Sequence, residues 1–398
     1  MSRYGYFWGC YVQGRLPHLE RSTRLVMQAL GIDAIDMDGL SCCPEKSMMK
    51  GTHHRAWLLT AARNLCLAEK AGVTLATPCP GCLGTLKGAK AELAGLPENQ
   101  EAVNRGLERI GRRYRGKGDV VHLLDILYKD IRPAALQERI RYSLAGLRIA
   151  VHYGCHLLQP SSDLQFDDPF RAKKFEELLE GLGATSVEYE TKMQCCGNLL
   201  LRAGEEDASH AMARSKLMDL ERQEVDAITL VCPSCMMQFD NTQFLLQRRG
   251  EPFSLPTIYF FELVGLALGF EPEELGISDH RVDATPFLNK WRGLQRRLDA
   301  VREHWDHTLV ANCAECGACN QDCPVSRNDP GFDPNALVRQ LAEGELEAVL
   351  TSSRLWKCIE CYTCSELCWQ RYGMVEIFRR AKQLAIERGM VPKAIAEG

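Results

Sequence analysis

Residues 228–235 read Ile228-Thr229-Leu230-Val231-Cys232-Pro233-Ser234-Cys235, a run of strand-forming residues that enters a Cys-Pro-x-Cys turn without a break. A short apolar run closed by a turn signal reads as a buried strand. Met236 to Leu246, which follows, carries a helical pattern. The same order recurs at Val73-Thr74-Leu75-Ala76, then Cys79-Pro80-Gly81-Cys82, then Leu83 to Leu93. Arg148-Ile149-Ala150-Val151-His152-Tyr153 likewise precedes Cys155. Strand, cysteine loop and helix in succession predict an α/β fold. The order sets the cysteines at helix N-termini, where the dipole and free N–H groups favour an anionic group.

Working outward, the cysteines repeat. Cys10 is followed after 31 residues by Cys42-Cys43, and after 35 more by Cys79-x-x-Cys82. Cys155 is followed after 39 residues by Cys195-Cys196, and after 35 more by Cys232-x-x-Cys235. The shared interval and the shared Cys-Pro-x-Cys indicate an internal duplication. Flanking segments repeat too: Val121 to Leu127 matches Ile258 to Val264 in pattern and in distance from its cysteine pair. Further helical patterns cover Leu16 to Leu30 and Pro169 to Leu182. The expectation is two pseudo-symmetric α/β halves, residues 1–145 and 146–285, with 271–285 as a linker.

Beyond them the cysteines change pattern. Cys313-x2-Cys316-x2-Cys319-x3-Cys323-Pro324 and Cys358-x2-Cys361-x2-Cys364-x3-Cys368 are two runs of four. Three thiolates at successive i+3 positions wrap one corner of an iron–sulfur cube, and the fourth ligates the other cube. One cubane 4Fe–4S cluster then takes Cys313, Cys316, Cys319 and Cys368; the second takes Cys358, Cys361, Cys364 and Cys323. Zinc is the competing reading, but it needs two pairs rather than two runs of four. Trp369 stands where the motif usually has proline, which shapes the chain and is not a ligand. Helical spacing over Phe287 to Trp305, 335–350 and 374–389 makes residues 286–398 an α-helical ferredoxin-like domain. The first of these helices is expected to pack it onto the rest, with a partner-binding helix as the alternative.

The chain has 19 cysteines among 398 residues and no signal-peptide pattern at its start, so metal is favoured over disulfide. Its net charge of −4 offers no basic field for nucleic acid. Leu255 to Phe270 is too short, and with Glu262 too polar, to cross a bilayer. A cytoplasmic location is expected, with no transmembrane segment. Five cysteines per half exceed what a cubane uses. Adjacent cysteines point apart on an extended backbone, so the expected site is wider than a cube, with five thiolates and a bridging sulfur. Only Cys66 is left over; its helical surroundings predict a buried inert thiol.

The doubled Cys-x31–39-Cys-Cys-x35-Cys-x-x-Cys pattern resembles the CCG domains of the B-type subunit of heterodisulfide reductase over residues 1–270. Residues from about 300 onward resemble the C-type subunit of the same enzyme, as in a B–C fusion. The resemblance implies two non-cubane 4Fe–4S clusters. One would be held by Cys10, Cys42, Cys43, Cys79 and Cys82, the other by Cys155, Cys195, Cys196, Cys232 and Cys235. The first repeat departs from the pattern, reading Cys42-Cys43-Pro44 where the second reads Cys195-Cys196-Gly197. The implied function is an iron–sulfur oxidoreductase subunit. It would pass electrons singly from a flavin-containing A-type subunit, and further redox subunits, through two cubanes to the non-cubane pair, which reduces a disulfide substrate. The alternative is a relay inside an electron-bifurcating, aromatic acyl-CoA reductase-type or quinone-linked complex, with no disulfide of its own.

Other residues carry weaker signals. His152 and His156 flank Cys155 as candidate proton donors, or as hydrogen-bond partners of a cluster sulfur or the backbone. Lys46, Lys50, His53 and His54 could offset cluster charge, meet an anionic substrate or form a solvated face. Arg112 to Lys117 reads as a solvated basic loop between the repeats, with a docking patch as the alternative. No Gly-x-Gly-x-x-Gly or P-loop is present, so no flavin or nucleotide site is expected in this chain. No CxxC pair precedes histidine, as c-type haem attachment requires.

Overall fold

Eight short strands form two four-stranded sheets in the computed structural model, which describes residues 4–397. The first sheet contains β1 (Tyr4–Tyr6), β2 (Ala34–Asp36), β3 (Thr74–Thr77) and β4 (Asp119–His122), in the order β2-β1-β3-β4. The second contains β5 (Arg148–His152), β6 (Thr185–Ser186), β7 (Ala227–Leu230) and β8 (Thr257–Tyr259), in the order β6-β5-β7-β8. All pairings are parallel, with Tyr6 opposite Ala76 and His152 opposite Leu230. Every residue of β7 is buried, as a parallel strand covered on both faces requires.

The strand order decides where function can sit. The chain leaves β1 to one side for β2, then crosses to β3 on the other, so the order reverses between β1 and β3. In such sheets a crevice opens at the carboxyl ends of the strands at that reversal. Cys10 follows β1 and Cys79 follows β3; Cys155 and Cys232 follow β5 and β7. The helices after the two Cys-Pro-x-Cys turns are Pro80–Gly95 and Pro233–Arg248, each with its proline in the first turn, where a missing N–H costs nothing.

The chain divides into two compact units between Leu288 and Asn289, both repeats lying in the first. The second unit is helical. Its core includes Val301, Val338, Leu341, Leu350, Ile377 and Phe378, with five of its cysteines packed against the edge. The helix expected over 335–350 is two, Pro334–Ala342 and Leu346–Leu350. Gly344 breaks it with φ +84°, and a side chain there would strike the backbone of Arg297. The expected linker is ordered as well: Pro272–Leu275 is helical and Ile277–Asp279 forms a 3₁₀ turn. No helix among the described residues is long and apolar enough to cross a membrane.

Candidate functional site

Cys10, Cys42, Cys43, Cys79 and Cys82 of the first repeat line one side of a cavity of about 510 Å³. Cys155, Cys195, Cys196, Cys232 and Cys235 of the second line the other. Their thiols form a continuous series of sulfur contacts. In the first half it runs Cys10, Cys42, Cys43, Cys82, Cys79. In the second it runs Cys155, Cys195, Cys196, Cys235, Cys232, with Cys155 and Cys195 at 3.8 Å. Cys79 and Cys232 meet where the halves join. The series reads the same from either end, as a duplicated fold facing itself must.

The donor set fits a metal cluster. Contact with Cys42 and burial push the Cys10 thiol far up; contact with Cys195 and burial do the same to Cys155. Cys82 and Cys235 are raised by their contacts with Cys43 and Cys196. Ten crowded thiols cannot all ionise without countercharge, and iron supplies it while taking soft sulfur ligands. Five donors per half exceed a tetrahedral zinc site.

Backbone geometry positions these sulfurs. Cys79 and Cys232 are the N-cap residues of their helices, which bring Cys82 and Cys235 into the first turn. The Gly197 N–H donates to Cys195 Sγ at 3.5 Å. Pro44 occupies the equivalent place in the first repeat and has no N–H, so Cys42 lacks this bond. Gly9 and Gly154 precede Cys10 and Cys155 with φ +76° and +75°. Sequence reasoning passed over both, although Gly-Cys repeats with the duplication. A Cβ on Gly9 would lie 2.8 Å from Cys82 Sγ. Gly9→Ala is therefore expected to cost about 1–2 kcal/mol in backbone strain and to lower iron content, whereas Gly14→Ala, whose Cβ meets nothing within 4 Å, leaves iron unchanged. Iron analysis of the two variants checks this.

The two candidate histidines separate. His156 lines the cavity and lies 3.4 Å from Ser47 Oγ through Nε2. His152 is buried outside the cavity lining, within 4.8 Å of the sulfurs of Cys196 and Cys235 and edge-on to Phe239. Burial lowers its pKa well below the usual imidazole range. Lys46, Lys50, His53 and His54 do not line the cavity. Lys50 and His54 pair with Glu92 at 3.0 and 2.6 Å, and Lys46 Nζ reaches Gln159 O at 3.4 Å. The charged groups of the wall are instead Arg202 and Glu45, 3.9 Å apart, set among apolar residues such as Trp8, Met48 and Leu199. Nothing in the sequence pattern marks Arg202, whose short Asn198–Arg202 helix follows the cysteine pair.

In the helical unit, Cys313, Cys316, Cys319 and Cys368 gather around one small cavity. Cys323, Cys358, Cys361 and Cys364 gather around another, which Cys319 also touches. Backbone N–H groups of Val375 and Tyr372 donate to Cys364 and Cys368 at 3.3 and 3.5 Å. Cys66 is buried on the His54–Ala71 helix, its thiol donating to Arg113 O at 3.3 Å. The basic loop, expected between the repeats, lies inside the first one, before β4, and is held by Glu69, which accepts the N–H groups of Arg115, Lys117 and Gly118.

Residues 4–87 and 149–240 match the cysteine-rich CCG domain family, and residues 309–371 match the 4Fe-4S dicluster domain family. The chain is 39% identical over 292 residues to the B-type subunit of the ferredoxin/F420H2-dependent CoB-CoM heterodisulfide reductase of Methanosarcina acetivorans, covering 73% of this chain and 97% of that one. It is 32% identical to the 8-methylmenaquinol:fumarate reductase membrane anchor subunit of Wolinella succinogenes, covering 71% of this chain and 98% of that one. Over 31% of its length it is 32% identical to the C-type iron-sulfur subunit of the CoB–CoM heterodisulfide reductase of Methanopyrus kandleri, spanning 62% of that chain. The domain matches and the grouped thiols mark an iron–sulfur protein.

Proposed function

Because the chain belongs to the family of heterodisulfide reductase B-type subunits and continues into a region similar to the C-type subunit, we propose that it reduces a small-molecule disulfide in the cysteine-lined cavity. The ten cysteines of the two repeats would hold two non-cubane 4Fe–4S clusters there, and the two groups of the helical unit two cubanes. When bound, these clusters supply electrons one at a time and an iron for each departing sulfur. The reaction consumes one disulfide, two electrons and two protons, and yields two thiols. A flavin-containing partner subunit is the proposed electron source.

The observation that carries this reading is the joining of both five-sulfur series at Cys79 and Cys232 along the wall of one cavity. Cleaving an S–S bond leaves two sulfurs, and the duplicated wall offers each its own place. A volume of about 510 Å³ falls in the range of small-molecule sites. Arg202, paired only loosely with Glu45 at 3.9 Å, can turn its guanidinium to an anionic substituent, and the apolar residues beside it exclude water. His156, open to the cavity, is placed to move a proton to a product thiolate, with Ser47 orienting its ring. The N–H of Gly197 on Cys195, absent at Cys42, favours added negative charge at the second site, because hydrogen bonds to cluster sulfurs raise the potential.

The test is anaerobic. Protein loaded with about 16 iron atoms per chain is reduced with a low-potential dye, and thiols released are counted against dye oxidised. Two thiols per two electrons are expected, with turnover down at least about 100-fold in Cys196→Ser. The relationship to a quinol-linked anchor subunit supports a second reading, an electron relay. Clusters that reoxidise with a quinone but release no thiol from any disulfide would establish the relay and dismiss the reductase.

A further inference from the structure

Away from the cysteines, three buried side chains from three separate segments converge. His18 lies on the Pro17–Ala29 helix of the first repeat, and Glu262 on the Phe260–Leu268 helix that ends the second. His280 follows the Ile277–Asp279 turn. Each offers one ligand atom, and the three atoms lie within 4.8 Å of one another. We propose that His18, Glu262 and His280 form a zinc site, free of sulfur, that fastens the 271–285 segment and the second repeat to the first.

Burial and charge support it. Glu262 is 0% exposed, His18 7%, and the His280 side chain 1%. A carboxylate taken fully out of water needs a paired cation, and among the described residues Glu262 has an imidazole, His280, in that place rather than a lysine or arginine. Its side-chain partner is His280, whose Nε2 lies 3.0 Å from Glu262 Oε1. The other oxygen, Oε2, accepts the Tyr259 N–H at 2.8 Å, which fixes the carboxylate plane. His18 Nε2 and His280 Nδ1 are buried with no hydrogen-bond partner among the described residues. Buried polar atoms are rarely left this way. A metal takes up the His18 Nε2 lone pair and stands in for the proton that pairs His280 Nε2 with Glu262, while His280 Nδ1 keeps its own N–H.

The geometry is close to a bound set. Ligands at 2.0–2.1 Å around a tetrahedral ion stand about 3.3 Å apart, near the 3.0 Å between His280 and Glu262. The third donor, within 4.8 Å of the other two, has at most about 1.5 Å to close. Two imidazoles and a carboxylate are a donor set that zinc accepts, with water as fourth ligand. The surrounding chain is built to bring them together. Gly276 has φ +81°, and a Cβ there would lie 2.6 Å from His18 Cβ, so only glycine lets the segment pass over the first repeat. Arg21 pairs with Asp279 at 2.8 Å, and Asp240 accepts the N–H groups of Arg281 and Val282 at 3.0 and 2.9 Å.

The experiment uses the intact holoprotein, purified anaerobically from zinc-supplemented cells. Metals are counted by plasma mass spectrometry, and the zinc environment is read by X-ray absorption at the zinc edge. About one zinc per chain is expected, with nitrogen and oxygen ligands only, at about 2.0–2.1 Å. Zinc should fall at least fivefold in Glu262→Gln and His18→Gln and persist in Cys196→Ser. Absence of zinc from the folded wild type overturns the proposal. So does zinc with sulfur ligands, which would be an ion lodged among the cysteines. The wild-type spectrum decides the matter even if a variant does not fold. It is also independent of the disulfide assay, so either result can fail alone.

Discussion

Serine in place of Cys323 is expected to remove the same iron–sulfur signal that serine at Cys361 removes, and to leave intact the one lost with Cys316→Ser. Sequence proximity argues the opposite, since Cys323 lies four residues after Cys319 and far from Cys358. The folded chain nevertheless gathers Cys323 with Cys358, Cys361 and Cys364, and Cys368 with Cys313, Cys316 and Cys319. Pro324 begins a short helix directly after Cys323, which turns the chain away from its own run. Each substitution should lower iron from about 16 to about 12 atoms per chain. Under the proposed route, in which the cubanes carry electrons from a flavin-containing partner to the cavity, either gap should cut turnover at least about 100-fold. Electron paramagnetic resonance of the four variants Cys316→Ser, Cys323→Ser, Cys361→Ser and Cys368→Ser sorts the signals into pairs. If Cys323 pairs with Cys316, the exchange of fourth ligands is wrong.

That exchange is an expectation drawn from local geometry, three cysteines at i+3 spacing surrounding one site while a fourth overshoots, and the two small cavities group the thiols in the same way. The α/β repeats were legible for a similar reason. Val73 to Ala76 and Ile228 to Val231 are short apolar runs that run into Cys-Pro-x-Cys, and Thr74–Thr77 and Ala227–Leu230 are strands. What stayed hidden depends on contacts between distant segments. Arg202 and Glu45 meet across the cavity from different repeats, and no periodicity in either segment announces it. His152 and His156 looked equivalent beside Cys155, but the former ends β5 and is buried, whereas the latter begins the next turn and faces the cavity. The 271–285 segment reads as a linker from Pro272, Gly276 and the Pro286 that follows it. Those residues serve the fold instead, since Pro272 starts a helix and Gly276 lets the chain close over His18. Composition could not distinguish a loose connection from a fitted one.

The second large effect is expected from Glu176→Ala, a residue with no part in the sulfur series. Glu176 is buried and forms an ion pair with Lys192, which also pairs with Glu188 at 2.7 Å. Its other oxygen accepts the Tyr153 hydroxyl, which in turn accepts the Phe175 N–H at 3.0 Å. Tyr153 stands two residues before Cys155 and Lys192 three before Cys195, so one carboxylate ties together both approaches to the second five-sulfur group. Breaking a buried pair strands the surviving charge and costs about 3–5 kcal/mol. Glu188 remains beside Lys192, which places the loss near 3 kcal/mol, at the lower end of that range. Burial pulls the Lys192 ammonium down, but Glu176 and Glu188 outweigh it and hold its pKa above the ordinary lysine value. A raised lysine stabilises fully below its unfolded pKa, about 10.4, and loses that contribution as pH climbs through the higher folded value. The gap between wild type and Glu176→Ala should thus stay constant from pH 6 to 9 and narrow only in stronger alkali. Glu176→Gln keeps an acceptor for Tyr153 but loses the charge, and should fall between the two. Urea unfolding of the reconstituted proteins, followed together by circular dichroism and iron release, measures the effect. A Glu176→Ala protein within about 0.5 kcal/mol of wild type would show that the Tyr153–Glu176–Lys192 link does not hold the second site together.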